Sequence, residues 1–395
     1  MDERPELIAF SQNKIGGVQN FYFNILTNDP YNVFHKKWIF TDRETETEAK
    51  LPKMYSTGME ILFPISKGET TYQIARRLQK LISRKPGVAL TNFYEELATL
   101  HIHRRNKTIF FICHDELYLK AARQFEFLID VFIAHNIEFY DKMVRLFPER
   151  KNDIYFIPYG VNVPSFERQK NFTGELRIVM LARLTVNKGV YDLPQIQDEL
   201  VKANVKVKWT IIGDGPEKEK LMGLMKGSDA EFYTPKDNAD VMELLKRQDI
   251  YILPSRLEGL PVSMLESMSV GCVPVVSEFN QGIKKILPSS IGFILPIGDI
   301  AAFSKTISAL HFDRNELEKR SSLSRELIKQ QFDIQSRAKE YFDLFKDYSR
   351  LKKKRNFKFF TYDGGFLHHP LIPGYTRTLA GKIKRLFISR NAQPS

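Results

Sequence analysis

The stretch from Asp249 to Val276, DIYILPSRLEGLPVSMLESMSVGCVPVV, constrains the fold of this chain more than any other. Its apolar start, DIYILP, reads as a buried strand, and a polar loop, SRLEG, follows it. Leu260 and Pro261 then open a helix carrying Met264, Leu265 and Met268, which stops at Gly271 before a second apolar run, VPVV. This order is one strand-loop-helix-strand unit of an α/β domain, with its loop at the carboxyl edge of a strand, where open parallel sheets take ligands. Glu258 in the loop and Glu266 in the helix are both placed to face a ligand over the helix start, whose free N–H groups and positive dipole end suit a phosphate. Carboxylates accept from polyol hydroxyls and N–H groups donate to a diphosphate. The same spacing alone also fits ordinary surface acids at a helix start.

At 395 residues the chain is long enough for two cores. Its 43% hydrophobic and 27% charged content is that of a soluble globular protein, and no run reaches the apolar length of a membrane span. The amino terminus, MDERPELIAF, is acidic and lacks a signal-peptide pattern, so a cytoplasmic location is expected. Cys113 and Cys272 lie in separate apolar stretches without metal-ligand spacing and read as small buried hydrophobes. The net charge of +12 is uneven, because from Arg350 to the end eleven Lys and Arg residues face a single acid, Asp363. A nearly neutral body with a basic tail argues against a general grip on nucleic acid and for a local docking surface for something anionic.

Taken in order, Leu7 to Ser11 is a short strand, and Gly16 and Gly17 separate it from an apolar-patterned helix, a place where small residues permit a tight turn and close ligand approach. The spacing is not G-x-G-x-x-G, so a dinucleotide fingerprint is absent. From Tyr31 to Lys53 the chain reads as polar and irregular. Thr108 to Cys113 is a buried strand that delivers His114 and Asp115 at its carboxyl end. The next strand leads to His135 and Asn136, which read either as an acceptor-positioning pair or as a capping turn. His101 and His103 have no further ligands at workable spacing, so no metal is expected. A polar segment between Val161 and Gly174 reads as the linker. Beyond it, LRIVMLARLTVNKG gives a strand followed by Arg183, Lys188 and Gly189, and VKVKWTIIGDGP gives a strand and a turn with Gly213 and Gly215.

Together these motifs resemble the retaining glycosyltransferases of family four. The resemblance rests on the proline-serine before the loop, the E-G-x-P start at Glu258, the Glu258 and Glu266 pair, the small turn at Gly271, the arginine with its lysine-glycine turn, and the GDGP turn. It implies an α/β chain of GT-B fold, two Rossmann-like domains facing across a deep cleft. We set these at 1–165 for the acceptor side and 166–345 for the nucleotide-sugar donor side, with 346–395 as a basic tail crossing back to the first domain. It further implies that Arg183 and Lys188 hold the diphosphate, Glu266 binds ribose and Glu258 engages the donor sugar. Gly213, Gly259 and Leu260 would line the nucleotide pocket, with Tyr233 to Lys236 beside the base. Gly16 and Gly17 would face the phosphates from the first domain, and His114 would be a cleft residue near the reacting sugar. Fixed cations at Arg183 and Lys188 stabilise the charge on a departing diphosphate without a metal. One segment departs from the family pattern: a glycine pair with a glutamate three residues later is replaced by Asn280-Gln281-Gly282-Ile283-Lys284-Lys285.

The expected function is therefore hexosyl transfer from a nucleotide-sugar to a glycan or lipid-linked saccharide acceptor, with retained configuration, in bacterial surface polysaccharide synthesis. No cofactor beyond the donor and no metal is expected. The alternatives are a phosphorylase or epimerase on a related GT-B fold and a catalytically inactive nucleotide-sugar-binding scaffold. In the tail, Leu379, Ile383, Leu386 and Phe387 share one helical face, and Arg377, Lys382, Lys384 and Arg385 enrich the rest. That pattern fits an amphipathic segment on an anionic membrane, peripheral to the inner face of the cell membrane. It also fits packing against the protein or against a second subunit of a homo-oligomer. No nucleic-acid partner is expected.

Overall fold

The computed structural model describes residues 3–14, 16–43, 55–103, 106–114, 116–166 and 174–354. The tail segment assigned above to a membrane or a protein surface, 355–395, lies outside the described residues, as does Asp115. Among the described residues no helix is long and apolar enough to cross a membrane.

The described chain divides into two units, the first holding the residues up to Ala134, Phe139–Phe156 and those from Tyr341 onward. Its strands are β1 (Glu6–Gln12), β2 (His35–Asp42), β3 (Glu60–Pro64), β4 (Gly87–Thr91), β5 (Thr108–Cys113), β6 (Val131–Ala134) and β7 (Ile154–Phe156). They form one sheet in the order β3-β2-β1-β4-β5-β6-β7, with every pairing parallel. Residues of β4, β5 and β6 are buried along the whole strand, as are the first six of β1. A parallel sheet covered by helices on both faces buries successive side chains alike, which is why these strands read as unbroken apolar runs. Tyr341, Phe342 and Phe345 are fully buried in this unit, with rings at 5.4 Å from Phe21, 6.3 Å from Phe34 and 5.2 Å from Phe110 respectively.

One expectation fails here. The region from Tyr31 to Lys53 is not irregular throughout, because HKKWIFTD is β2, with Trp38, Ile39 and Phe40 fully buried. Only three consecutive apolar residues signal this strand, and the two lysines before them mimic a solvated face. Both lysines are in fact engaged. Lys36 bonds the Leu26 carbonyl at 3.0 Å and Asp29 at 3.2 Å, while Lys37 reaches Glu6 at 2.8 Å. Glu6 is itself buried and also pairs at 2.9 Å with Lys107, a lysine without measurable exposure. Burial pushes the Glu6 carboxyl up, but the two ammonium groups outweigh it and hold the group below its ordinary value.

The second unit, His135–Glu138 and Ile157–Glu340, carries β8 (Leu176–Leu181), β9 (Val207–Ile212), β10 (Ala230–Tyr233), β11 (Ile250–Leu253), β12 (Val273–Ser277) and β13 (Phe293–Leu295). These also pair in parallel, in the order β10-β9-β8-β11-β12-β13. Strand order reverses between β8 and β11. Each sheet holds one buried tryptophan with a polar partner for its indole N–H: Trp38 donates to Ser11 Oγ at 2.9 Å, and Trp209 in β9 donates to Gln197 Oε1 at 2.7 Å.

Removing one partner of a buried charge cluster leaves the other short of compensation, so Lys107→Met should cost about 3 kcal/mol at pH 7 in chemical denaturation. Glu6 has a depressed folded-state pKa, so its contribution is present above the unfolded value and fades as pH falls through the folded one. The difference between wild type and Lys107→Met should therefore shrink in acid. An equal difference at both ends of that range would contradict the assignment.

Candidate active site

In a parallel sheet all carboxyl ends share one edge, and where the strand order reverses the following helices lie on opposite faces and leave a crevice. In the second unit that point lies between β8 and β11. From β8 the chain passes Arg183 into a 3-10 turn, Val186–Lys188. From β11 it enters the loop holding Ser255 to Leu260, and then the helix Val262–Ser269.

Gly189 welds these two segments together. Its φ is 72°, a left-handed value, and a Cβ there would lie 2.0 Å from the Pro254 carbonyl oxygen, so only glycine fits. Across the same contact, the Arg256 N–H and the Ser255 hydroxyl both donate to the Asn187 carbonyl, at 2.8 and 2.9 Å. The Arg256 guanidinium makes two bonds to the Asp192 carboxylate, at 2.5 and 2.8 Å. Such a two-point pair fixes orientation as well as distance. The lysine turn and the glutamate loop are thus one body, and Lys188 Nζ meets Glu258 Oε1 at 2.5 Å. Both side chains are largely covered, with 23% and 10% exposure.

Gly213, at the carboxyl end of β9, does the same for Arg183. With φ at 144°, a Cβ there would fall 2.0 Å from the Ala182 carbonyl oxygen. The Ala182 N–H donates to Ile212 O at 3.1 Å and the Leu184 N–H to Asp214 O at 2.9 Å. Arg183 is held at backbone level between them, while its side chain is exposed and pairs with no carboxylate among the described residues.

Glu266 differs from Glu258. It is 5% exposed, and its Oε1 accepts no hydrogen bond among the described residues. Burial alone raises its pKa to about 7. Tyr251, in β11, links the two acids electrostatically. Its hydroxyl pKa is raised first by burial and further by the carboxylates of Glu258 and Glu266, while a 2.8 Å hydrogen bond with Ser263 opposes the shift. Gly259 and Leu260 complete the loop, which is fastened from the far side by Asn280. The Asn280 amide donates to the carbonyls of Glu258 and Gly259, both at 2.8 Å.

The structure therefore brings Arg183, Lys188, Gly213, Glu258, Gly259, Leu260 and Glu266 to one edge of one sheet. Tyr233 ends β10 and Thr234 to Lys236 follow it, two strands from β8 on the same edge. Of the remaining predicted site residues, Gly16, Gly17 and His114 belong to the first unit. Gly16 and Gly17 follow β1, with Gly16 extended at φ 175° and Gly17 the first residue of the helix Gly17–Thr27. His114 follows β5, buried, with its ring edge-on to Phe21 at 5.3 Å and Tyr22 at 6.0 Å. His135 is part of the second unit, stacked on Tyr159 at 4.0 Å with Nδ1 3.1 Å from Ile157 O. Burial lowers its pKa to about 3, so it is a neutral packed imidazole. Sequence reasoning missed the partners of Asp192, Ser255, Arg256 and Asn280, which lie tens of residues away and leave no local pattern.

Comparison with known proteins bears on the fold and on the second unit's sequence. Residues 163–330 match the family model for glycosyl transferases group 1. A putative colanic acid biosynthesis glycosyltransferase, WcaL, of Escherichia coli is 29% identical over 172 residues, covering 40% of this chain and 42% of that protein. The amylovoran biosynthesis glycosyltransferase AmsK of Erwinia amylovora is 31% identical over 34% of this chain and 36% of its own length. The match thus spans less than half of either relative. Among solved structures, HepE of Anabaena in complex with UDP and glucose superposes with a TM-score of 0.69 at 15% identity, over 87% of this chain and 100% of that one. At that identity the likeness is one of fold. The chain has the GT-B architecture, and its residues 163–330 match the glycosyl transferases group 1 model.

Proposed function

We propose that this protein is a retaining glycosyltransferase of family four that moves a hexose from a nucleotide-sugar donor to a glycan or lipid-linked saccharide acceptor in bacterial surface polysaccharide synthesis. The observation that carries this reading is the Glu266 carboxylate, buried with an unfilled acceptor oxygen on the helix that follows the Glu258 loop. A buried carboxylate oxygen without a donor is costly unless a ligand completes it, and the vicinal hydroxyls of a ribose supply two donors. Arg183 and Lys188 hold the diphosphate, whose charge grows as the sugar leaves. Glu258 accepts from hydroxyls of the donor sugar once the diphosphate draws Lys188 toward itself. Gly213, Gly259 and Leu260 line the nucleotide. In the first unit, Gly16 and Gly17 form the phosphate-facing turn and His114 serves near the reacting sugar.

The relatives' roles in colanic acid and amylovoran biosynthesis support the polysaccharide context, and the UDP in the HepE complex supports a nucleotide-sugar donor. We place the protein in the cytoplasm, at the inner face of the cell membrane. No metal is needed in this scheme, since two fixed cations serve the diphosphate.

The first test is a thermal-stability screen with UDP-, GDP-, ADP- and dTDP-linked sugars, because a ligand that binds the native state raises apparent stability by mass action. One donor class should raise the midpoint, and Glu266→Ala and Arg183→Ala should each diminish the rise. Glu258→Gln should retain binding and lose sugar transfer by about two orders of magnitude or more. Binding without transfer to any acceptor by wild type would leave a scaffold in place of an enzyme. In the ligand-free protein, Glu266→Gln should be stabilising above pH 7, on the order of 3 kcal/mol, because the raised folded-state pKa means that ionising Glu266 favours the unfolded chain. That advantage should vanish below the unfolded carboxyl pKa, and denaturation at about pH 4 and about pH 8 reads it directly.

A further inference from the structure

We propose that Asn280 is a positioning residue that orients the Gly259 and Leu260 peptide groups so that their N–H groups receive a phosphate of the donor. The proposal rests on the nucleotide-sugar reading above. It arises from the segment that departs from the family pattern, where Asn280 stands ahead of a single glycine, Gly282.

All the bonding capacity of the Asn280 amide group is directed at backbone. Its Nδ2 donates to Glu258 O and to Gly259 O, both at 2.8 Å, and its Oδ1 accepts the Ile283 N–H at 2.9 Å. The side chain therefore ties the start of the helix Ile283–Ile286 to two consecutive carbonyls of the glutamate loop. Gly282 keeps room for this, since a Cβ there would come within 3.2 Å of Asn280 Oδ1.

Peptide planarity converts that clamp into a donor pair. The chain has no cis peptide bonds among the described residues, so each carbonyl points opposite to the N–H of the next residue. Fixing the oxygens of Glu258 and Gly259 toward Asn280 turns the N–H groups of Gly259 and Leu260 away from it. Neither N–H has an acceptor among the described residues, and Pro261, next in line, has no N–H to add. Leu260 is 6% exposed, so its amide is withheld from much of the solvent that would otherwise satisfy it. Two adjacent, preset, unfilled donors on the loop whose Glu258 touches Lys188 match a phosphate in number and charge. The amide donors hold their direction before the ligand arrives, and Asn280 is what holds them.

The test is calorimetric titration of the full chain with UDP, GDP, ADP and dTDP and with the corresponding free nucleosides, in wild type, Asn280→Ala and Asn280→Asp. Asn280→Asp keeps the size and the acceptor for Ile283 but sets an oxygen against the two carbonyls. Diphosphate affinity should fall by about tenfold or more in Asn280→Asp and by less in Asn280→Ala, with nucleoside affinity within about twofold of wild type. A merely structural role would lower both ligand classes together, and that result, or an unchanged diphosphate affinity, would overturn the proposal alone. Wild type that binds none of the four diphosphates would overturn the functional reading and this proposal with it. If the variants fail to fold, hydrogen exchange on wild type decides: a peptide spanning Gly259 and Leu260 should be protected by the bound diphosphate and not by the nucleoside, and lack of that difference overturns the proposal.

Discussion

The contact between Gly189 and the Pro254 carbonyl is the constraint on which the second unit depends. A Cβ at this point would sit inside an oxygen atom, so the lysine turn after β8 and the acidic loop after β11 approach as bare backbone or not at all. Once they meet, Asn187, Ser255, Arg256 and Asp192 close hydrogen bonds across the seam. A lysine and a glutamate that are 70 residues apart in sequence thereby become neighbours. The charges that would recognise a donor are positioned by groups that touch no donor, which is how a parallel sheet with variable loops supports precise chemistry.

Much of this was legible in the sequence, for a physical reason. Parallel strands buried on both faces appear as short apolar runs, and β5 and β11 are of that kind. The turns at Gly189 and Gly213 appear as glycines because no other residue adopts those angles against a backbone oxygen. β2 was hidden because Lys36 and Lys37 look like a solvated face until their partners, Asp29 and Glu6, are known. The Arg256–Asp192 pair and the Asn280 clamp were hidden for the same reason, since a side chain's partner across 20 or 60 residues is set by tertiary packing and leaves no periodicity. Hence the two glutamates proposed for the site could be singled out from the chain, while the groups packed around them could not.

The two acids also show how a site differs from a core. Glu258 is compensated by Lys188, whereas Glu266 is buried with an unfilled oxygen and a pKa raised to about 7. A sequence selected for stability alone would replace Glu266 by an apolar residue of similar volume. On the proposed reading, its presence marks free energy held in reserve for a ligand. Glu6, by contrast, is buried with every need met by Lys37, Lys107 and Ser83, and has the character of a structural tie.

The arrangement of the two tryptophans has an optical consequence. The chain contains only Trp38 and Trp209, one in each parallel sheet, and each indole is buried with a different polar partner. Intrinsic fluorescence therefore divides by unit: with one indole replaced by phenylalanine, the emission of the other reports the packing of its own sheet. The two halves of the molecule carry separate built-in lamps, so whether they melt as one or in succession is readable without attaching a label.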